Sequence, residues 1–328
     1  MRAICLTVLT LLPGTTRAAD LRYPEDATLR AIQFIDAREG WAVGDEGVVL
    51  HTIDAGKSWE RLPTGTRASL RGVCFLSPFH GWVVGRDERP EGGSVGVLLF
   101  TKDGGLKWSR LLSGALPGLN QVRFSDPKNG YIFGDGSDAF GSGVFKTADG
   151  GKTWDPVPGP RTTSWLGGDF HSGTSGSLAG AWSRLATLRD DRFGAAEVDT
   201  LGGRSLMALQ LHPKKAFAVG QGGLVLTSVS GGVRWGFADR SLKLATDVLA
   251  CLDFQGVAAT GNKVWIVGRP GSVVLTSDDL GDSWRLVKTG QSAPLHGVYF
   301  LNEKQGWAVG AAGTILGSDD GGQTWKVQ

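Results

Sequence analysis

The chain has few of the residue types from which many active sites are built. Of its 328 residues three are cysteine, and none of these forms a closely spaced pair of the kind that binds zinc. The five histidines fall in unrelated positions, which disfavours a metal cluster or a catalytic triad. The net charge is only +2, which gives no nucleic-acid or membrane-surface signature. We therefore expect no metal, no cofactor and no nucleic-acid partner.

Long apolar runs are also scarce, and the candidate that stands out lies at the N-terminus. Arg2 precedes a largely apolar stretch from Ala3 to Leu12, which ends at Pro13 and is followed by small residues. The stretch is too short to span a bilayer as a helix, but its layout is typical of a secretory signal. We predict a signal peptide over 1–19 and an exported protein, periplasmic or extracellular and peripheral to membranes at most. An ordinary first strand is the alternative.

The predicted signal peptide would remove Cys5 and leave two cysteines. Cys74 falls in the apolar run 73–76 and is expected to be a buried core thiol. A disulfide between Cys74 and Cys251 stays open as an alternative in an exported chain.

Glycine and tryptophan, by contrast, are abundant, with 51 and 12 copies. Many belong to a recurring turn, [ST]-x-D-x-G-x-x-W, called the Asp box below. Its Asp accepts backbone N–H bonds, its Gly takes a positive φ, and its Trp carries apolar surface into the core. We expect removal of Trp108 or Trp154 to cost about 3 kcal/mol or more. The structural Asp-box residues are Asp54 and Trp59, Asp103 and Trp108, Asp149 and Trp154, Asp279 and Trp284, Asp320 and Trp325, and Trp235 in a sixth copy where Ser230 replaces Asp.

A second motif, Gly-Trp-x-Val-Gly, precedes each turn and marks seven units. Its final glycine, the marker glycine, recurs about every 44 residues at 44, 85, 134, 180, 220, 268 and 310. Five units carry Phe ten residues earlier, at Phe34, Phe75, Phe124, Phe170 and Phe300. Each unit is expected to form four short strands.

These units predict an all-β fold, a seven-bladed β-propeller of four-stranded antiparallel blades with Asp-box turns. A linear solenoid is disfavoured because neither end shows a polar capping unit. The fourth unit has lost its Asp box, and 241–252 is an insertion that forms either a short helix or an extended edge. We predict a single domain over 20–328, with blades at 28–66, 67–115, 116–160, 161–204, 205–240, 241–290 and 291–328.

Propeller geometry then predicts a binding face. All Asp boxes join the third and fourth strands, so they share one face, and the longer loops lie on the other. The residue fourteen before the marker glycine should open the channel-lining strand: Arg30, Arg71, Asn120, Leu166, Leu206, Phe254 and His296. We predict a channel-mouth and loop surface formed by Arg30, Arg71, Arg86, Asp87, Asp135, Phe140, Arg269 and His296. Its guanidinium groups suit a carboxylate-bearing segment, although solvated charges balanced by Asp45, Asp87 and Asp135 are the alternative.

The last unit, from Gly306-Trp307 through Ser318 and Asp320 to Trp325, resembles the photosystem II assembly and stability factor propellers and their bacterial relatives. The resemblance covers about 30–328 and implies a non-enzymatic, chaperone-like monomer that holds a membrane-protein segment. The family's photosynthetic members carry an arginine patch near the channel, and Arg30 and Arg71 are its counterparts by location. A thylakoid lumen location follows only if the source is photosynthetic.

Two other functions stay open. Sialidases and some endoglucanases share the Asp box, but a sialidase needs a Tyr nucleophile, and Tyr131 and Tyr299 both lie in apolar strands. Glycosidases need two facing carboxylates, and nothing singles out a pair among the acidic residues of the long loops, Asp87, Glu88, Asp135 and Asp138. We expect no enzyme. A generic glycan- or protein-binding propeller is the third possibility.

Overall fold

A computed structural model describes residues 26–111, 116–172, 175–189 and 192–328. Seven antiparallel sheets hold nearly all of the regular structure. The predicted seven-bladed β-propeller is therefore confirmed. The predicted signal peptide, with Cys5, lies outside the described residues.

Blades 1 to 3 have the predicted four-strand meander. Blade 1 consists of β1 (Leu29–Phe34), β2 (Gly40–Gly44), β3 (Val49–Thr52) and β4 (Glu60–Leu62). Blade 2 consists of β5 (Ser69–Phe75), β6 (Gly81–Glu88), β7 (Ser94–Thr101) and β8 (Ser109–Leu111). Blade 3 consists of β9 (Leu119–Phe124), β10 (Gly130–Gly134), β11 (Val144–Thr147) and β12 (Asp155–Pro156).

Blades 4 to 7 repeat the meander, with one addition to blade 5. Blade 4 consists of β13 (Trp165–Ser172), β14 (Ser175–Gly180), β15 (Leu185–Arg189) and β16 (Arg192–Ala195). The short strand β17 (Glu197–Val198) follows and joins the outer edge of blade 5. Blade 5 itself consists of β18 (Leu206–Gln210), β19 (Ala216–Gly220), β20 (Val225–Ser228) and β21 (Arg234–Phe237). Blade 6 consists of β22 (Asp253–Thr260), β23 (Lys263–Arg269), β24 (Val273–Ser277) and β25 (Arg285–Val287), and blade 7 of β26 (Leu295–Phe300), β27 (Gly306–Gly310), β28 (Ile315–Ser318) and β29 (Lys326–Val327).

The insertion between blades 5 and 6 is helical. A 3-10 turn spans Asp239–Leu242, and a single short helix, α1, spans Thr246–Ala250. The short-helix alternative is therefore confirmed and the extended edge is wrong. No helix in the described part of the chain is long and apolar enough to cross a membrane.

The core lies in the seams between neighbouring blades. In blade 1 the second-strand Trp41 stacks on Phe75 of blade 2 at 3.7 Å, and its indole N–H donates to the Gly104 carbonyl of that blade's Asp box at 3.1 Å. The Asp-box Trp108 then meets Phe75 edge-on. This three-ring arrangement occurs at four seams: Trp41–Phe75–Trp108, Trp82–Phe124–Trp154, Trp265–Phe300–Trp325 and Trp307–Phe34–Trp59.

Blade 4 keeps a version of this seam without an Asp box. Tyr131 of blade 3 stacks on Phe170 at 4.4 Å, and Phe193 meets Phe170 edge-on in the place of the missing tryptophan. The second-strand indoles are deeply buried, as at Trp41 and Trp265, both 0% exposed. The Asp-box tryptophans are buried only at Trp235 and Trp325; the indoles of Trp59, Trp108, Trp154 and Trp284 are half-buried.

The ring closes between blades 7 and 1 by side-chain packing. Trp307 stacks on Phe34 at 3.4 Å and donates its indole N–H to the Ala55 carbonyl at 2.9 Å. Gln305 adds a hydrogen bond to the Ala37 carbonyl. Within the described ranges each blade takes its four strands from one continuous stretch of chain.

The Asp boxes have the predicted hydrogen bonds. In blade 1 the Thr52 hydroxyl accepts the Gly56 N–H, and Asp54 accepts both the backbone N–H and the hydroxyl of Ser58. The Ser58 hydroxyl and N–H lower the pKa of Asp54 to about 2. Gly56 has a φ of 88°, which explains the glycine at that position.

The two cysteines of the described chain are both free thiols. Cys74 is buried, as predicted, and Cys251 is exposed. The alternative of a disulfide between them is therefore wrong.

Candidate functional site: the channel mouth

Every blade places one residue in the channel by means of a β-bulge. In blade 1 Leu29 pairs with Gly44 and Ala31 with Val43, so Arg30 has no partner on β2. A bulge of this kind leaves the extra residue out of the ladder and redirects its side chain. The seven bulged residues are Arg30, Arg71, Asn120, Leu166, Met207, Gln255 and His296, and all of them line a cavity of about 420 Å³.

Two of these residues differ from the prediction. Leu206 and Phe254 were expected in the channel, but both are 0% exposed and pair with the marker glycine, as Leu29 does in blade 1. The chain between the bulge and the marker glycine is one residue shorter in blades 5 and 6, so counting back from the glycine overshoots. Met207 and Gln255 therefore take the channel positions.

The marker glycine itself is required by this geometry. A Cβ on Gly44 would collide with the Thr28 carbonyl of the adjacent first strand. The close approach of the two backbones next to the bulge thus explains the glycine found at this position in all seven units.

Arg30 is held by an acidic partner on its own blade. Its guanidinium donates two hydrogen bonds to Asp45, at 2.7 and 3.2 Å. Ser69 of blade 2 donates to the same carboxylate at 2.6 Å. Burial acts to raise the pKa of Asp45, but the bonds from Arg30 and Ser69 outweigh it and the pKa lies below its usual value.

Arg86 belongs to a polar network that links blades 2, 3 and 4. It pairs with Asp135 of blade 3 and donates to the Asn120 side-chain carbonyl at 3.3 Å. Asn120 in turn donates to the Trp165 carbonyl of blade 4 at 2.7 Å, and Ser164 donates to Asp135 at 2.7 Å. The charge of Arg86 is therefore matched within the protein, and Asp135 belongs to the same network.

The other predicted loop residues also have partners. Arg269 pairs with Asp253 at 3.0 Å, and Asp87 pairs with Arg110 at 3.3 Å. Phe140 packs edge-on against Phe145 and lines a separate groove of about 390 Å³ beside blade 3. The structure thus brings Arg30, Arg71, Arg86 and Asp87 together in one mouth cavity of about 650 Å³, without Phe140 or Arg269.

Arg71 differs from its neighbours. Its guanidinium donates one long hydrogen bond to Ser69, at 3.4 Å, and makes no ion pair with any described residue. Burial, then the charges of Arg86 and Arg30, lower the pKa of Arg71 to about 10, so it stays protonated at neutral pH. Arg71 lines both the mouth cavity and the channel cavity. It is a half-buried cation at the junction of the two.

His296 lies in the ring but adds no charge. Burial, then the nearby Arg30 and Arg269, lower its pKa to about 4. The imidazole is therefore neutral at physiological pH, and the cations that line the mouth cavity are all arginines.

Sequence reasoning missed the polar residues that organise the wall. Ser69 and Ser94 are the hydroxyl donors to Asp45 and Asp135. Arg123 lies deeper in the channel, with its Nε 3.9 Å from Asp169. Serines carry no motif, so they had no signal. Arg123 occupies the same strand position as Gln33 in blade 1, and comparing first strands across blades would have found it.

Comparisons with known proteins agree with this architecture. A family profile described as photosynthesis system II assembly factor YCF48 matches residues 14–72 and 195–296, which include Arg30 and Arg71. By this match the chain resembles the photosystem II assembly factor propellers. The resemblance stated from the sequence is confirmed.

Similar proteins include two photosystem II assembly factors. The photosystem II stability/assembly factor HCF136 of rice is 29% identical over 117 residues, which is 35% of this chain and 27% of the rice protein. The photosystem II assembly lipoprotein Ycf48 of a Synechococcus species is 28% identical over 160 residues, 47% of this chain and 44% of that protein. The chain thus aligns with less than half the length of either relative.

Solved structures share the fold. YCF48 bound to a D1 peptide superposes with a TM-score of 0.69 at 22% identity, covering 90% of this chain and 92% of that one. YCF48 from Cyanidioschyzon merolae gives 0.69 at 21%, covering 90% and 97%. The GH74 enzyme of Niastella koreensis gives 0.68 at 14%, covering 92% of this chain and 54% of the enzyme. At these identities the likeness shows the fold alone.

Proposed function

We propose that this propeller is a non-catalytic binding protein that holds a carboxylate-bearing segment of a protein partner at the mouth of its channel. The observation that carries the proposal is Arg71. Four arginines line the mouth cavity: Arg30 and Arg86 have acidic partners and Arg67 is exposed, whereas Arg71 is half-buried and has no ion pair with a described residue.

The geometry around Arg71 favours an acidic ligand. A half-buried guanidinium is poorly solvated, so a carboxylate that binds it gains strong, bidentate hydrogen bonds. Asp45 and Asp135 are already occupied by Arg30 and Arg86 and do not compete for it.

The relatives indicate the class of partner. A YCF48 structure contains a D1 peptide, and the similar rice and Synechococcus proteins are photosystem II assembly factors. We extend this to a protein segment of a membrane complex that the propeller holds during assembly. We further propose that the chain is exported, since the Synechococcus relative is a lipoprotein and the rice one is chloroplastic. We also propose that it acts as a monomer.

The acidic groups of the mouth support a non-catalytic role. Asp45, Asp87 and Asp135 each pair with an arginine, and the pKa of Asp45 is lowered, whereas a general acid needs a raised one. Tyr131 is buried and stacked on Phe170, so it is not placed to be a nucleophile. The GH74 likeness is one of fold.

Peptide binding to Arg71 variants tests the proposal. The probes are peptides that end in a free carboxylate, among them a D1 peptide, and the same peptides with amidated ends, measured by calorimetry. We expect Arg71→Ala to weaken binding about tenfold or more, because a charge-assisted hydrogen bond contributes about 1.5–3 kcal/mol. The affinity of Arg71→Lys should lie between those of wild type and Arg71→Ala, since lysine keeps the charge but cannot form the bidentate hydrogen bonds of a guanidinium.

Arg234→Ala is the matched control, because Arg234 pairs with Glu197 at the outer edge of blade 5, and neither residue lines the mouth cavity. Equal binding by wild type and Arg71→Ala would contradict the proposal. So would carbohydrate hydrolysis that survives purification.

A further inference from the structure

Each Asp-box turn carries two side chains that take no part in the hydrogen bonds of the turn itself. One lies between the Ser/Thr and the Asp, and the other follows the Gly. In blades 6 and 7 these positions are mostly acidic, with Asp278, Asp282 and Asp319. In blades 1 and 2 they hold Ile53 and Lys57, then Lys102 and Leu106. The same turn is thus acidic on one side of the ring and apolar and basic on the other.

The apolar members project into solvent. Ile53 is 60% exposed and Leu106 is 66% exposed. Phe79, at the neighbouring turn of blade 2, is 61% exposed, and its carbonyl accepts the Gly104 N–H at 3.1 Å. That bond holds Phe79 next to the Asp box that carries Leu106. These exposed apolar side chains lie close together, and such a group indicates a contact with a partner outside the chain.

The basic members are available for an external partner. Lys57 and Lys102 are exposed, as is Lys107 next to Leu106, and none makes an ion pair with a residue in the described ranges. The Lys102 ammonium lies 5.9 Å from the centre of the Phe100 ring. The carboxylate in this turn, Asp103, accepts the Lys107 N–H and the Thr101 hydroxyl and so faces its own turn. In blade 6, by contrast, Asp278 and Asp282 pair with lysines at 3.2 and 2.8 Å.

We propose that the Asp-box tips of blades 1 and 2 dock the propeller on an anionic lipid surface, with Phe79 and Leu106 entering the interface and the lysines meeting lipid phosphates. Projecting apolar side chains flanked by lysines suit a bilayer, where insertion and surface charge add. A protein partner would need a complementary concave surface, and lysine is a point charge without the geometry of an arginine fork. Docking by this face leaves the channel mouth, on the opposite face, open to its ligand.

Vesicle flotation tests this docking. The probes are vesicles of phosphatidylcholine alone and of phosphatidylcholine mixed with phosphatidylglycerol. We expect binding to the mixed vesicles only, with loss at high salt. Phe79→Ser with Leu106→Ser should weaken that binding about tenfold or more, since both variants lose the apolar surface that enters the interface. Lys102→Glu with Lys107→Glu should abolish the preference for phosphatidylglycerol.

Val229→Ser is the matched control. Val229 is 81% exposed at the position in blade 5 that Ile53 holds in blade 1, and its loss should leave binding unchanged. Unchanged melting will show that each variant is folded. Arg71→Ala should bind vesicles like wild type, which separates this docking from the ligand site of the mouth.

Three results would overturn the proposal: no binding of wild type to phosphatidylglycerol vesicles, full binding by the double serine variant, or equal loss in Val229→Ser. A phenylalanine-dependent capture of a membrane protein in detergent, without vesicle binding, would assign the tips to a protein partner instead.

Discussion

The seams of the ring fall into two groups. Five seams, from blade 6 through blades 7, 1, 2 and 3 to blade 4, contain a second-strand aromatic ring stacked on a phenylalanine of the next blade. The two seams of blade 5 have no such stack among the described residues. At the first of them Thr187 of blade 4 donates its hydroxyl to the Gly232 carbonyl. At the second, Phe217, Phe254 and Trp284 share a cluster with aliphatic side chains.

This difference follows the location of the binding site. The charged mouth residues Arg30, Arg71 and Arg86 lie on blades 1 and 2, inside the aromatic group of seams. Stacked rings fix the spacing of neighbouring sheets, and a preorganised charged site needs that spacing. Blade 5 instead gains extra chain: β17 lies along its outer strand, and Leu242 and Leu249 of the helical insertion pack into its second seam. The stacked seams thus lie on the blades where the ligand is expected.

The largest effect should come from removing an aromatic ring at the closure of the propeller. We expect Trp307→Ala to lower the free energy of unfolding by about 5 kcal/mol, because the indole is 2% exposed, stacked and hydrogen-bonded. Trp108→Ala should cost less, about 3 kcal/mol, since Trp108 is half-buried and makes an edge contact. Urea unfolding measures both, and equal losses would show that the second-strand indoles are not the stronger fasteners.

A smaller effect is expected at the seam between blades 4 and 5. Thr187→Val keeps the shape and removes the hydroxyl that bonds Gly232, which should cost about 1–2 kcal/mol. Thr227→Val is the control, because Thr227 holds the equivalent position in blade 5 and its hydroxyl makes no hydrogen bond to a described residue. A loss in Thr187→Val as large as that in Trp307→Ala would erase the distinction between the two groups of seams.

The smallest effect is a gain from repairing the Asp box of blade 5. Ser230 accepts the Arg234 N–H at 2.9 Å with its single oxygen. Ser230→Asp should accept the same bond with a carboxylate and raise the melting temperature by about 2 °C at pH 7. Calorimetry at several pH values gives the test.

The gain should depend on pH in a defined direction. In the intact boxes, hydrogen bonds from Ser58 lower the pKa of Asp54 to about 2, and those from Thr153 do the same for Asp149. A folded-state pKa below the unfolded value near 3.9 stabilises the protein above that value, and the stabilisation is lost as pH falls from about 4 to about 2. A gain from Ser230→Asp that persists at pH 2 would rule out the carboxylate as its cause.

Much of the fold was predictable because its repeats have a direct physical cause. The marker glycine avoids a clash with the first strand, and the Asp box closes the outer hairpin, so each leaves the same residues at the same spacing. The phenylalanine before the marker glycine proved to be the ring on which the previous blade's Trp stacks. Phe193, its edge partner in blade 4, was missed because the pattern expected a tryptophan there.

The site was only partly predictable. Arg30, Arg71 and Asp45 were placed correctly by counting from the marker glycine, because blades 1 and 2 share the same spacing. Counting failed for Met207 and Gln255, where one residue is missing. Which arginines are paired could not be read from the chain either, since Arg86 and Asp135 belong to different blades and meet only in the folded ring.

The repeated bulge makes the channel mouth a set of seven positions that can vary independently. Each of the seven bulges presents a single side chain to the channel, and the bulged residue has no partner on the second strand of its blade. From blade 1 to blade 7 these positions hold Arg, Arg, Asn, Leu, Met, Gln and His. A substitution at any one of them leaves the strand pairing intact. Related propellers could therefore change the ligand that they recognise one blade at a time while keeping the same fold.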